Sequence, residues 1–155
     1  MHTPQRRAPN RISRPLLGLS LAAGFVLGCG TGGLPAVIPT LSLDSPSNNS
    51  TVNLPVNKQI AINFSTNYTL KAPGSCAGQE HCGHVYVLVD STACNLPGQP
   101  YNALAVASPV QADLSKCATA TGSHTVTLEL RNDDESIVNN LLSSPVTSAA
   151  TITIQ

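Results

Sequence analysis

The stretch His124-Thr125-Val126-Thr127-Leu128-Glu129-Leu130-Arg131 places Val126, Leu128 and Leu130 on one face and Thr125, Thr127, Glu129 and Arg131 on the other. Alternation of this kind predicts a half-buried β-strand, because successive side chains along a strand point to opposite faces. Further back, His84-Val85-Tyr86-Val87-Leu88-Val89-Asp90 is apolar at nearly every position, which predicts a central strand covered on both sides. Residues 59–65 alternate again, with Ile60, Ile62 and Phe64 on one face. Shorter alternating runs at 41–44, 51–54 and 150–154 predict three more strands, and 110–114 a short edge strand. Residues 91–108 read as irregular around Pro97-Gly98-Gln99-Pro100. Residues 66–70 either extend the 59–65 strand or start another, and 137–146 are ambiguous. No segment carries a 3.6-residue apolar period, so the fold class is all-β.

Short strands separated by Pro, Gly, Asn and Ser turns over roughly 110 residues form the pattern of a β-sandwich. Tryptophan is absent and aromatic residues make up only 3% of the chain, so valine, isoleucine, leucine and alanine must build the core. The run Ser45-Pro46 with Ser50-Thr51-Val52, the strand Ile60-Ala61-Ile62-Asn63-Phe64-Ser65, and the pair 84–90 and 124–131 together resemble an immunoglobulin-like domain of the kind bacteria display outside the cytoplasm. That resemblance implies an antiparallel sandwich over residues 41–155. It departs from antibody-type domains in lacking the core tryptophan. A narrower likeness lies in Gly83-His84 followed later by Gly122-Ser123-His124-Thr125, which is similar to small uncharacterised exported domains with a Gly-His strand. Those domains carry a second histidine where this chain has Tyr86.

At the amino terminus, Arg6, Arg7, Arg11 and Arg14 precede the apolar run from Leu16 to Leu27, and the next charge is Asp44. A dozen apolar residues are too few for the ~20 of a membrane-spanning helix, whereas a basic n-region and a short apolar h-region fit a secretory signal. Val26-Leu27-Gly28-Cys29 resembles the lipobox of bacterial lipoproteins, with valine where leucine is usual. The resemblance implies a signal peptide over 1–28, cleavage before Cys29, and diacylglyceryl and acyl groups (palmitate among them) on Cys29. An ordinary secretory signal with an incidental cysteine is the alternative. Gly30 in place of aspartate implies sorting to the outer membrane. Residues 29–40, with Gly30-Thr31-Gly32-Gly33, Pro35 and Pro39, read as a flexible tether.

Signal removal changes the charge. The chain has eight Lys+Arg against eight Asp+Glu, but four of the arginines lie in the signal, leaving Lys58, Lys71, Lys116 and Arg131 against all eight acids. An acidic domain has no electrostatic footprint for nucleic acid. It would also be repelled by anionic headgroups, so the lipid on Cys29 would hold the membrane. With Cys29 acylated, Cys76, Cys82, Cys94 and Cys117 form an even set in an oxidising compartment. Three pairings are open. Cys76–Cys82 with Cys94–Cys117 is favoured, since each then closes one polar loop without crossing between the sheets.

Imidazole is the commonest transition-metal ligand, and His81 and His84 crowd into the 76–84 loop. The sharp reading is a zinc or copper site on His81 and His84, with Glu80 or Asp90. The bland one leaves His81 solvated on a disulfide loop and His84 bonded at a strand end. If strands 84–90 and 124–131 are antiparallel neighbours, six residues at ~3.4 Å keep His84 and His124 roughly 20 Å apart. His84 then falls beside Asp133-Asp134-Glu135, where an ion pair or hydrogen bond is expected. That acidic turn lacks the ligand spacing of an EF-hand. The Gly-x-Ser-x-Gly, Walker, His-Glu-x-x-His and Rossmann motifs are missing, and four paired cysteines leave no thiolate for nucleophilic work. The reading is therefore a non-catalytic, anchored envelope module facing the periplasm or cell surface, with a structural, adhesive or partner-binding role and an envelope protein as its partner. A periplasmic copper- or zinc-binding module is the alternative. A hydrolase is the weaker one.

Overall fold

In the computed structural model, residues 37–155 are described. The signal peptide, Cys29 and most of the tether lie outside them. Nine strands and one 3-10 turn follow one another: β1 Leu41–Ser45, β2 Thr51–Val52, β3 Gln59–Thr66, β4 Thr69–Leu70, β5 Cys82–Val89, β6 Ala103–Ala105, β7 Val110–Asp113, the turn Leu114–Lys116, β8 Gly122–Asn132 and β9 Thr147–Ile154. They form two sheets. The small one runs β1-β3-β7; the large one runs β2-β9-β8-β5-β4, with β6 sharing the β4 edge of β5.

The alternation seen in sequence decides what lies between the sheets. Ile60, Ile62 and Phe64 of β3 meet Val85, Val87 and Val89 of β5, Val126, Leu128 and Leu130 of β8, and Ile152 and Ile154 of β9 in one buried cluster. The domain is an all-β sandwich with an aliphatic core. At roughly 25 cal/mol per Å² of apolar surface removed from water, this aliphatic layer dominates its stability.

β5 and β8 pair antiparallel over seven residue pairs from Gly83↔Asn132 to Val89↔Val126, which meets the condition set above for separating His84 from His124. The sandwich is not antiparallel throughout. β2 pairs with β9 in parallel, and β4 with β5 likewise. Both exceptions are two-residue strands reached as the chain crosses from one sheet to the other, so their direction follows the crossing.

Residues 137–146 form a small hairpin whose backbone continues the edge of β8: Val138 N donates to Leu130 O, Leu130 N to Val146 O, and Val146 N to Val138 O. It feeds Val138 and Val146 into the core and leaves Leu141 and Leu142 exposed at its tip. At the start of the domain the chain is already held before β1. Asn67 Nδ2 donates to Ile38 O (2.8 Å) and Thr40 N donates to Asn67 Oδ1 (2.9 Å).

Both favoured disulfides are present, Cys76–Cys82 and Cys94–Cys117. The second one does more than close a loop. Cys94 follows β5 of the large sheet and Cys117 follows β7 of the small one, so this bridge links segments leaving the two sheets.

Candidate functional site

The antiparallel register of β5 and β8 sorts the singled-out residues to opposite ends of one strand pair. His84 stands opposite Arg131, while Val89 stands opposite Val126, so the residue after Val89 and the residue two before Val126 meet. These are Asp90 and His124. Asp90 leaves β5 in the left-handed region (φ 51°), which turns its carboxylate back onto the start of β8. Its Oδ2 lies 2.7 Å from His124 Nδ1, its Oδ1 accepts from Thr125 N at 2.8 Å, and its own N donates to Thr125 O at 2.8 Å. His124 is only 3% exposed, on the inward face it shares with Val126 and Leu128. Its Nε2 is buried without a hydrogen-bond partner. The Cys94–Cys117 disulfide lies alongside, and Cys94 Sγ is 3.7 Å from Asp90 Oδ2. One donor atom from each of Asp90, Cys94, Cys117 and His124 falls within 4.8 Å of the others.

At the far end, His84 is fully buried, and neither ring nitrogen has a hydrogen-bond partner. The ion pair or hydrogen bond expected with the acidic turn does not form, because that turn is already engaged. Asp133 Oδ1 accepts from Cys76 N (3.1 Å), Asp133 O accepts from Gly74 N (3.0 Å), and Asp134 Oδ1 accepts from Ser136 N (3.1 Å). The His84 ring instead packs against Tyr86 with centroids 5.2 Å apart, and Tyr86 lies tilted against Tyr101 at 4.6 Å. The Arg131 guanidinium covers the Tyr86 ring at 4.8 Å and pairs with Glu129. This aromatic layer on the outer face of the large sheet is why β5 is buried on both sides.

His81 stands apart, half-buried before β5 with φ 51° and edge-on to Tyr68 at 5.7 Å. It shares a shallow depression with Glu80, Asp133 and Asp134. Asp90, weighed above as a ligand beside His84, sits at the opposite end of β5. Among the described residues, the one cluster of three or more metal-capable side chains is Asp90, Cys94, Cys117 and His124, and it includes neither His81 nor His84. The Asp90–His124 contact was available from sequence: the same antiparallel register that separates the two histidines brings the last residue of one strand to the first of the other.

A groove of about 570 Å³ runs along the outer face of β8, between Thr125, Thr127 and Glu129 on one side and Asp90, Thr92 and Pro100 on the other. Its walls are mixed in polarity, and Asp90 lies at one end.

Burial pushes the His84 imidazole below its ordinary value of 6.5; Arg131 opposite adds to the depression, and Glu135 and Asp133 oppose it. The fold therefore prefers neutral His84. The unfolded chain takes up a proton first as pH falls through 6.5, so stability present above that pH is lost progressively down to the depressed folded value. One group can impose a slope of at most ~1.4 kcal/mol per pH unit. His84→Leu is expected to flatten the acid side of a urea-midpoint series between about pH 7.5 and about pH 5.5. At neutral pH it should cost little, since it removes two unpaired buried nitrogens. An unchanged acid slope in the variant would assign the dependence to another group.

No protein-family profile matches the chain, and no curated protein does. Among solved structures it is similar to a fibronectin(III)-like module of Clostridium thermocellum CbhA, with TM-score 0.43 and 14% identity over 75% of this chain and 96% of that one. It is also similar to the PKD domain (residues 329–428) of human KIAA0319, with TM-score 0.37 and 11% identity over 81% of this chain and 89% of that one. The sandwich itself is established by the strand pairing described above.

Proposed function

We infer that the chain is a lipid-anchored envelope protein whose β-sandwich acts as a non-catalytic structural, adhesive or partner-binding module. The observation that carries this reading is cysteine pairing. Four of the five cysteines close on one another in two disulfides, which leaves Cys29 with no cysteine partner in its own chain. Cys29 is also the residue that ends the lipobox-like run, as a lipid acceptor must. With Ile38 and Thr40 bonded to Asn67, residues 29–37 are left as tether and would reach about 30 Å when extended, enough to stand the sandwich clear of a bilayer surface. Two disulfides further suit a small domain working in an oxidising compartment.

The non-catalytic part of the reading draws on the Asp90–His124 pair. It has the orienting carboxylate of a base but no hydroxyl or thiol on Nε2, and nucleophilic catalysis needs all three in line. The outer groove beside β8, about 570 Å³ with walls of mixed polarity, is the surface we assign to a partner.

The test is metabolic palmitate labelling of the full chain in bacterial cells, with Cys29→Ser alongside. Label should enter the parent protein, co-fractionate with membranes, and vanish from Cys29→Ser, which should keep its uncut signal. A parent chain that is cut elsewhere and carries no label overturns the anchored reading.

A further inference from the structure

We propose that Asp90, Cys94, Cys117 and His124 form a redox-gated site for a thiophilic metal ion, closed while Cys94–Cys117 is a disulfide and opened by its reduction. The side chains come from three separate segments, yet one donor atom of each lies within 4.8 Å of the rest. In a tetrahedral zinc site with bonds of about 2.0 to 2.3 Å, donor atoms lie roughly 3.3 to 3.8 Å apart; the farthest of these four lie no more than about 1 Å beyond that, while His124 Nδ1 and Asp90 Oδ2, at 2.7 Å, would have to part slightly. Breaking the disulfide lets the two sulfurs separate to that distance. Two thiolates, one imidazole and one carboxylate make a donor set suited to zinc or cobalt.

His124 supplies the second, independent sign. It is 97% buried by its 3% exposure, and Nε2 has no partner. A buried ring nitrogen left unpaired is costly, and an ion bound to it in the reduced protein would relieve that cost. His84 carries orphaned nitrogens too, but no thiol or carboxylate is grouped with it. Asp90, which also lines the end of the outer groove, brings the group to solvent.

The chemistry balances in two steps. A dithiol reductant transfers two electrons and two protons to Cys94–Cys117, giving two thiols and its own disulfide. A divalent ion then binds both sulfurs and releases the two thiol protons.

The test uses the chain carrying Cys29→Ser, so that residue 29 offers no thiol, and titrates it with Co(II) before and after dithiol reduction. Stoichiometric cobalt–thiolate charge-transfer absorption should appear only after reduction. It should be lost in Cys94→Ser and His124→Ala and persist in the Cys76→Ser/Cys82→Ser chain. Zn(II) should also raise the melting temperature of the reduced Cys76→Ser/Cys82→Ser protein, a readout that works even where the reduced apo chain is partly unfolded. Absence of both signals overturns the site. So does absorption that survives His124→Ala, depends on Cys76 and Cys82, or appears without reduction.

Discussion

Gly83→Ala is expected to destabilise the domain by about 3 kcal/mol, the upper end of what overpacking normally costs. Gly83 pairs with Asn132 where β5 and β8 begin to run together. A Cβ placed there would collide with the Arg131 carbonyl oxygen, and it would sit 3.0 Å from the Arg131 carbonyl carbon and 3.2 Å from Asn132 Cα. All three atoms are backbone, so no rotamer change relieves the clash. The strands must part, or β8 must shift and disturb the register that aligns Tyr86 with Glu129 and Leu88 with Thr127. Urea unfolding should show a lower midpoint at unchanged slope. A loss under ~0.5 kcal/mol, the range of an ordinary surface change, would mean that the two strands separate there at little cost.

Asn102→Ala should have a comparable effect through hydrogen bonding. Asn102 is 2% exposed and lies just before β6, in a stretch that reads as featureless loop. Its Nδ2 donates to Cys94 O and to Asp113 O (3.0 Å), its Oδ1 accepts from Asp113 N (2.8 Å), and its backbone N donates to Val87 O (2.8 Å). One side chain thus ties the loop after β5 to the end of β7, beside the bridge between Cys94 and Cys117. Each buried partner left unsatisfied costs about 1–3 kcal/mol. The variant should lose roughly 3 kcal/mol and on the order of 10 °C in melting temperature. Because the disulfide and Asn102 constrain the same two segments, combining Asn102→Ala with Cys94→Ser/Cys117→Ser should give a coupling above ~0.5 kcal/mol. Strict additivity would show that the two constraints act independently.

The long strands were legible in sequence because their side chains state their own environment. Val126, Leu128 and Leu130 alternate with polar residues whatever surrounds them, and residues 84–89 are apolar enough to require cover on both faces. The disulfide pairing was legible because two short closures explain four cysteines. The parallel strands β2 and β4 were not, since a two-residue strand has no period and takes its direction from the partner it meets. Asn102 was hidden for a related reason: its role lies in carbonyls contributed by Cys94 and Asp113, and nothing in its neighbours marks it. For His84, sequence correctly put the acidic turn nearby but not the prior claims of Cys76, Gly74 and Ser136 on that turn. The alternation along β8 puts His124 on the face of Val126 and Leu128, yet its partner stands 34 residues away and becomes visible only once the register is followed to its end.

The parallel pairing of β2 with β9 determines how the domain would carry a load. Residues 48–54 are stitched to 151–155 by a row of bonds: Asn48 Oδ1 with Thr151 N, Asn49 N with Thr151 O, Thr153 N with Ser50 O, Gln155 N with Val52 O, and Leu54 N with Gln155 O. Because the two segments run in the same direction, a pull towards the amino-terminal end of one and the carboxyl-terminal end of the other acts along the row, not across it. The bonds are then strained together in shear instead of peeling apart one at a time. Tension between the two ends of the sandwich would meet resistance at this seam, an arrangement suited to a domain held at one end and tugged at the other.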